Sequence, residues 1–281
     1  MERTVSLEAE GAHQKIFSFD SFKTSFSGDN SSDLVSKELM VIQEPDVSSD
    51  KILRTISAPV TFSTSLQAFM LEYLLPTMYK EGGIGIASVQ VALPIRALIV
   101  DIPHITHIDG IPVLPANSDP RYVRKTIATG KVLRVIESRP VYEINADGVI
   151  VQQHTTSERI LGTSTDSMNE TRPDEEILID RRPVFMINPS IESLSDETIV
   201  MEEGCLSVPF NYMQQTFGPN TRVERPNGLC ITYVDERGQE QSLCEDGSSG
   251  EHSMWFVRCA LHEFDHLQGV LFTDKLYQQG A

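Results

Sequence analysis

The segment His262-Glu263-Phe264-Asp265-His266-Leu267-Gln268, closed by Gly269, sets the reading of this chain. Residues four apart share one face of an α-helix, so His262 and His266 can reach one divalent cation while Glu263 flanks it. A metal in that position lowers the pKa of a water it holds, and a neighbouring carboxylate accepts and then returns the proton. The surroundings read as helical. Ser248-Ser249-Gly250-Glu251 fits a capping box, Met254, Val257, Ala260, Leu261 and Phe264 recur at helical spacing, and Gly269 supplies a stop. Two histidines at this spacing also arise on a solvated helix face, so other segments must decide.

Two do. Glu203-Gly204-Cys205-Leu206-Ser207-Val208-Pro209 offers a thiolate as a third protein ligand, which would leave one coordination position open. Gly83-Ile84-Gly85-Ile86-Ala87-Ser88-Val89-Gln90 is a run of small residues that ends in an amide donor and suits close backbone approach.

In this order, the three segments resemble the peptide deformylases. That family carries a Gly-x-Gly-hydrophobic-Ala-Ala-x-Gln run, a Glu-Gly-Cys-Leu-Ser run and a His-Glu-x-Asp-His helix, and here only Ser88 departs from the pattern. Ser49 to Arg54, Ala58-Pro59-Val60, Val223 to Pro226 and Gly269 to Asp274 extend the likeness, which covers about 40–102 and 183–276. The resemblance implies hydrolysis of the N-formyl group of the initiator formyl-methionine on new polypeptides, with release of formate. Cys205, His262 and His266 would hold one divalent ion. Fe²⁺ is expected in the cell, and Zn²⁺, Ni²⁺ and Co²⁺ suit the same donors. Glu263 would act as base and then acid, while the Gln90 side chain and the Leu206 backbone N–H would meet the oxyanion.

Gly83, Gly85, Ile84, Met201 and Cys259 are the expected substrate-binding residues, with Trp255 and Ile86 as further candidates for the methionine pocket. Asp265 reads either as a residue that ties the helix down or as a surface acid. After the cysteine motif, where many relatives carry a basic residue, this chain has Phe210-Asn211-Tyr212-Met213-Gln214-Gln215. The nascent chain is the expected partner, with at most transient ribosome association, and the short stretch after Leu276 speaks against docking by a long basic helix. Two other readings are open: a metallopeptidase with a different third ligand, and a non-enzymatic binding protein on the same scaffold.

Composition fits a cytoplasmic enzyme. The chain has 281 residues and is 40% hydrophobic, enough for a large core. Its 40 acidic and 23 basic residues give a formal charge of −17, which argues against a broad nucleic-acid or anionic-membrane surface. Apolar runs are too short to span a bilayer. Cys205, Cys230, Cys244 and Cys259 are few and widely spaced, so free thiols in a reducing compartment are expected.

Coarse patterning predicts an α+β fold, with mixed or antiparallel short strands around the C-terminal metal-binding helix. A helix is expected from Thr64 to Lys80, kinked or divided at Pro76. Strands are expected at 97–102, 184–188 and 198–201, and a hairpin across Asp235-Glu236-Arg237-Gly238. Residues 1–39 are Ser-rich and read as a flexible extension, which makes Met40 a candidate initiator of the 40–281 catalytic domain. About eighty residues, 103–182, read as an insertion holding a hairpin from 131–136 and 148–152, and Thr163 to Glu176 reads as mobile.

Overall fold

The computed structural model describes residues 17–18, 47–145, 149–162 and 173–278. Of the 1–39 segment it describes Phe17–Ser18 (β1), which pairs in parallel with Val60–Thr61 (β2). The expected flexibility of the rest of that segment, and Met40, lie outside the described residues, as do 163–172.

After a first helix, Val47–Leu53 (α1), comes the predicted long helix in three registers. Thr64–Ala68 (α2) is capped by Ser63, whose side chain accepts from the Leu66 N–H; Phe69–Leu74 is a π-helical stretch; and Leu75–Lys80 (α3) follows. The Leu75 N–H reaches back to Met70 O. This wider turn takes up Pro76, which lacks an N–H, so the helix is re-registered ahead of the proline and not divided at it.

Gly85–Ala87 (β3) and Ala97–Val100 (β4) form one edge of a five-stranded sheet. His104–Ile108 (β5), Ile111–Pro112 (β6), Leu133–Ile144 (β7), Ile150–Leu161 (β8) and Glu175–Asp180 (β9) form a second sheet, with the helix Tyr122–Ile127 (α4) between β6 and β7 in the chain. The chain then returns to the first sheet with Val184–Leu194 (β10) and forms the ribbon Thr198–Glu202 (β11) and Arg222–Pro226 (β12) around the helix Phe210–Phe217 (α5). It closes with the predicted hairpin, Gly228–Val234 (β13) and Glu240–Asp246 (β14), and the helix Glu251–Leu267 (α6). The first sheet runs β14-β13-β10-β4-β3, wholly antiparallel; the second runs β6-β5-β9-β7-β8, with β7 and β9 parallel.

The run Ala97-Leu98-Ile99-Val100 is apolar at every position because both faces of its strand are covered. Ala97 and Ile99 pack with Met70, Leu74, Met78 and Phe185 under the long helix, whereas Leu98 and Val100 pack with Met186, Phe256, Val257 and Ala260 under α6. Each such Leu, Ile or Phe contributes roughly 1.5–3 kcal/mol by leaving water. The sheet is thus sandwiched between two helical layers, and α6 is held along its length.

Within 103–182 the described residues form structure of their own. The hairpin expected there is longer than its apolar core suggested, and Glu175 and Glu176, expected in a mobile stretch, open β9. Ile105, Leu133, Val135, Ile177 and Ile179 form a separate core with residues of α4.

Two expectations fail on long-range geometry. Among the described residues no side chain caps α6: its N-cap is Gly250 at φ 145°, where a Cβ would lie 2.5 Å from Ala116 O, so contact with the 103–182 segment dictates a glycine there. Ser248 instead belongs to a short turn capped by Asp246. Cys230 and Cys244, expected as free thiols, are opposite residues on β13 and β14 and form a disulfide, while Cys205 and Cys259 remain thiols. Protein denatured without reductant should therefore take up two alkyl groups, and four after reduction. Four without reduction, read by intact mass, would exclude the bridge.

Candidate active site

Three segments distant in sequence converge beside α6. Cys205 Sγ and one ring nitrogen each from His262 and His266 all lie within 4.8 Å of one another, and Cys205 Sγ is 3.2 Å from His266 Nε2. Residues four apart on a helix bring the imidazoles together, with ring centroids 5.0 Å apart. Cys205 follows β11 in a tight turn, where the Val208 N–H donates to Cys205 O at 3.1 Å.

Glu203 decides how His262 is presented. Its Oε2 pairs with His262 Nδ1 at 2.9 Å, which leaves Nε2 of that ring for a ligand. The same carboxylate accepts Arg225 Nε at 2.6 Å, Arg225 Nη2 at 3.0 Å and Arg258 Nη1 at 2.9 Å. Burial works to raise the Glu203 pKa, but the His262 and Arg225 hydrogen bonds outweigh it and hold the carboxyl well below the usual range. Asp265 proves to be the tie of the helix: it is buried, receives Arg225 Nη1 at 2.6 Å and pairs with Lys275.

Glu263 stands differently. Among the described residues its buried Oε2 has no hydrogen-bond partner, and burial pushes its carboxyl up to about 7. Next to it runs β3. A Cβ on Gly85 would lie 2.4 Å from Cys259 Sγ and 2.6 Å from Glu263 Oε1, so only glycine lets the strand come this close. Beyond β3, Gln90 Oε1 accepts the Ala87 N–H at 2.8 Å. That bond turns the amide so that Nε2 faces Ser207 Oγ at 3.1 Å and Cys205 Sγ at 3.7 Å.

A cavity of about 320 Å³ opens on this cluster. Gly83, Ile84 and Gly85 form one wall, Gln90, Cys205 and Leu206 a second, and Trp255, Cys259, His262 and Glu263 line the helix side. Every expected metal and catalytic residue is therefore brought to one place. Met201 and Ile86 are not among the lining residues. Met201 pairs with Val223 in the β11–β12 ribbon, and Ile86 is fully buried under the long helix, because successive strand residues face opposite sides. The sequence alone gives no role to Glu203, Ser207 or Arg225; the usable signal is a charged residue in each of two short motifs, Glu203 and Arg225, because a charge that becomes buried requires a partner.

The family model for polypeptide deformylase matches residues 44–119 and 142–281. The chain belongs to that family. Its members remove the N-formyl group from nascent polypeptides, and this chain is an enzyme of that class. The match also runs through 103–119 and 142–182, so the likeness reaches into the segment expected to lie outside it, and it leaves out 120–141, which hold α4 and most of β7. The peptide deformylase of Bartonella bacilliformis is 29% identical over 240 residues, covering 85% of this chain and 84% of that protein. That of Rhodopseudomonas palustris is 29% identical over 237 residues, covering 84% and 87%. The solved peptide deformylase of Ehrlichia chaffeensis, 23% identical, overlays with a TM-score of 0.48 across 85% of this chain and 88% of its own.

Glu203→Gln should cost about 3–5 kcal/mol in urea unfolding, because it leaves two buried guanidiniums undercompensated. With the folded pKa of Glu203 depressed from its ordinary 4.5, this stabilisation is present above that pH and lost as pH falls through the folded value. A variant as stable as the parent at pH 7 would show that the cluster is not a support.

Proposed function

We propose that Cys205, His262 and His266 hold one divalent metal ion and that Glu263, Gln90 and Leu206 carry out removal of the formyl group from formyl-methionyl chains. The observation that carries this reading is the convergence of three metal-type donors beside a buried carboxylate whose Oε2 has no partner among the described residues. One thiolate and two imidazoles, one of them oriented by Glu203, are a donor set that fits such an ion. They suit Fe²⁺, the ion proposed for the cell, as well as Zn²⁺, Ni²⁺ or Co²⁺. When bound, the ion supplies Lewis acidity at the formyl oxygen and lowers the pKa of water.

The chain's own residues do the rest. Glu263, with its pKa raised to about 7, takes the proton of the attacking water and returns it to the departing amine as the formyl C–N bond breaks. Formate leaves with the oxygen of that water. Gln90, its amide turned by the Ala87 N–H, presents Nε2 to the oxyanion that develops at the formyl oxygen, and the Leu206 N–H is the second donor. Gly83, Ile84, Gly85, Trp255 and Cys259 line the cavity that receives the methionine side chain.

The partner is the nascent chain, met in the cytoplasm with at most transient contact with the ribosome. Among the described residues no helix is long and apolar enough to cross a membrane. The net charge of −17 disfavours a nucleic-acid surface.

Anaerobic formate release from a formyl-Met peptide by Fe²⁺-loaded protein tests the reading. Glu263→Gln should keep its metal and lose about 10²–10⁴-fold in kcat, the usual worth of a positioned acid-base group. Cys205→Ala should lose bound metal, measured by elemental analysis, together with turnover. Parent-like rates in either variant would remove the role assigned to that residue, and no formate from folded, metal-replete parent would remove the activity.

A further inference from the structure

The second sheet meets the wall of the cavity through a buried charge cluster that the chemistry above does not use. Glu137 on β7 is 1% exposed and accepts three guanidiniums: Arg181 Nε at 2.5 Å, Arg139 Nη2 at 2.9 Å and Arg159 Nη2 at 2.9 Å. Arg181, just beyond β9, also faces the first sheet, where its Nη1 donates to Asp101 O at 3.1 Å. Asp101, equally buried, follows β4 directly. Its Oδ1 accepts the Arg182 N–H at 2.9 Å, its Oδ2 accepts the Tyr79 hydroxyl at 2.6 Å, and its own N–H donates to Ile84 O at 2.8 Å. Arg139 and Arg181 lie over the Tyr79 ring at 4.8 and 5.7 Å.

The path ends at the site. Tyr79 stands on α3, three residues before Gly82, and residues 82–85 form one wall of the catalytic cavity. A surface elaboration with no effect on that wall would not need buried ions, which are costly unless each is paired. Burial would raise the Glu137 carboxyl, but Arg139 and Arg181 hold it below the usual range, so the ion remains a strong acceptor. Burial, together with the Asp101 carboxylate, drives the Tyr79 phenol upward, so it stays a donor.

We propose that Glu137 and Tyr79 are positioning residues for deformylation: through Arg181 and Asp101 they hold the Ile84 carbonyl, and with it the 82–85 wall against which the formylated chain binds. The kinetic consequence rests on the function proposed above; the structural consequence does not. Loss of the clamp should loosen a wall that touches substrate while the metal donors and Glu263, held by α6 and the Glu203 cluster, stay in place. Binding should therefore weaken more than turnover.

Hydrogen exchange read by mass spectrometry on the full, metal-loaded chain, beside formyl-peptide kinetics, tests this. In Glu137→Gln, exchange over residues 84–87 should rise about tenfold or more, with β13, β14 and α6 within about twofold of the parent. KM for a formyl-Met peptide should rise about five- to twentyfold with kcat within about threefold. Tyr79→Phe, which deletes one hydroxyl and keeps the ring, should show the same pattern more weakly, and it stands alone should Glu137→Gln fail to fold. Arg159→Ala serves as a control. Its side chain is 51% exposed and two guanidiniums remain on Glu137, so it should match the parent. Unchanged exchange at 84–87, exchange raised evenly across β13, β14 and α6, or a fall in kcat with KM constant would each overturn the proposal. A parent that releases no formate fails the functional reading instead, and the exchange pattern still decides whether the clamp exists.

Discussion

The arrangement depends first on one buried carboxylate. Glu203 is 3% exposed and faces Arg225, Arg258 and His262 at once, so it joins the strand that precedes Cys205, the strand that carries Arg225 and the helix that carries both histidines. Two guanidiniums could not be left in this interior without it, since an unpaired buried ion costs several kcal/mol. Its geometry is directional as well as compensating. Arg225 binds it with two nitrogens, one on each oxygen, a planar match that lysine could not make, and Oε2, shared with Arg225 Nη2, also orients the His262 ring through Nδ1. The support of the fold and the orientation of the His262 ring are thus one interaction.

Much of this was legible because chemistry imposes short-range patterns. His262 and His266 can share a target only at helical spacing, the Gly85 position must lack a Cβ because β3 touches Cys259 and Glu263, and Gln90 must follow at a distance that lets its own backbone turn it. What stayed hidden depended on partners far away in the chain. The spacing of Cys230 and Cys244 says nothing of register until the hairpin is closed, and then they are opposite one another. Gly250 looked like part of a capping box because nothing local announces Ala116 pressing on it. Met201 was credited with the pocket from its place near the cysteine motif, but strand alternation and the pairing with Val223 set it elsewhere. The 103–182 segment carried its signal in β-branched alternation, yet only the parallel pairing of β7 with β9 makes that alternation a sheet with its own core.

The division of labour between the two faces of the first sheet follows from its composition. Ala97 and Ile99 bind it to the long helix and Leu98 and Val100 bind it to α6, so the strand beside β3 is immobilised from both sides. β3 itself is only three residues long and lies at the sheet edge, with ladder bonds to β4 alone. A strand of that length has little stability of its own. Yet it forms the wall nearest Glu263, where a displacement of one ångström would change what the cavity accepts.

The physical answer to a weak but critical strand is to fasten its ends. At one end Gln90 folds back onto Ala87, and the same side chain reaches Cys205, so the strand is tied to the turn that follows β11. At the other end Asp101 holds Ile84, and behind Asp101 stand Tyr79, Arg181 and Glu137. Both ties use buried polar groups, which lose far more when a partner shifts than an apolar contact does. Apolar packing would let the wall slide along the sheet, whereas hydrogen bonds of fixed direction do not. A short strand that lines an open cavity on one side therefore takes its rigidity from charged clusters set in the neighbouring layers, and the second sheet is one of those layers.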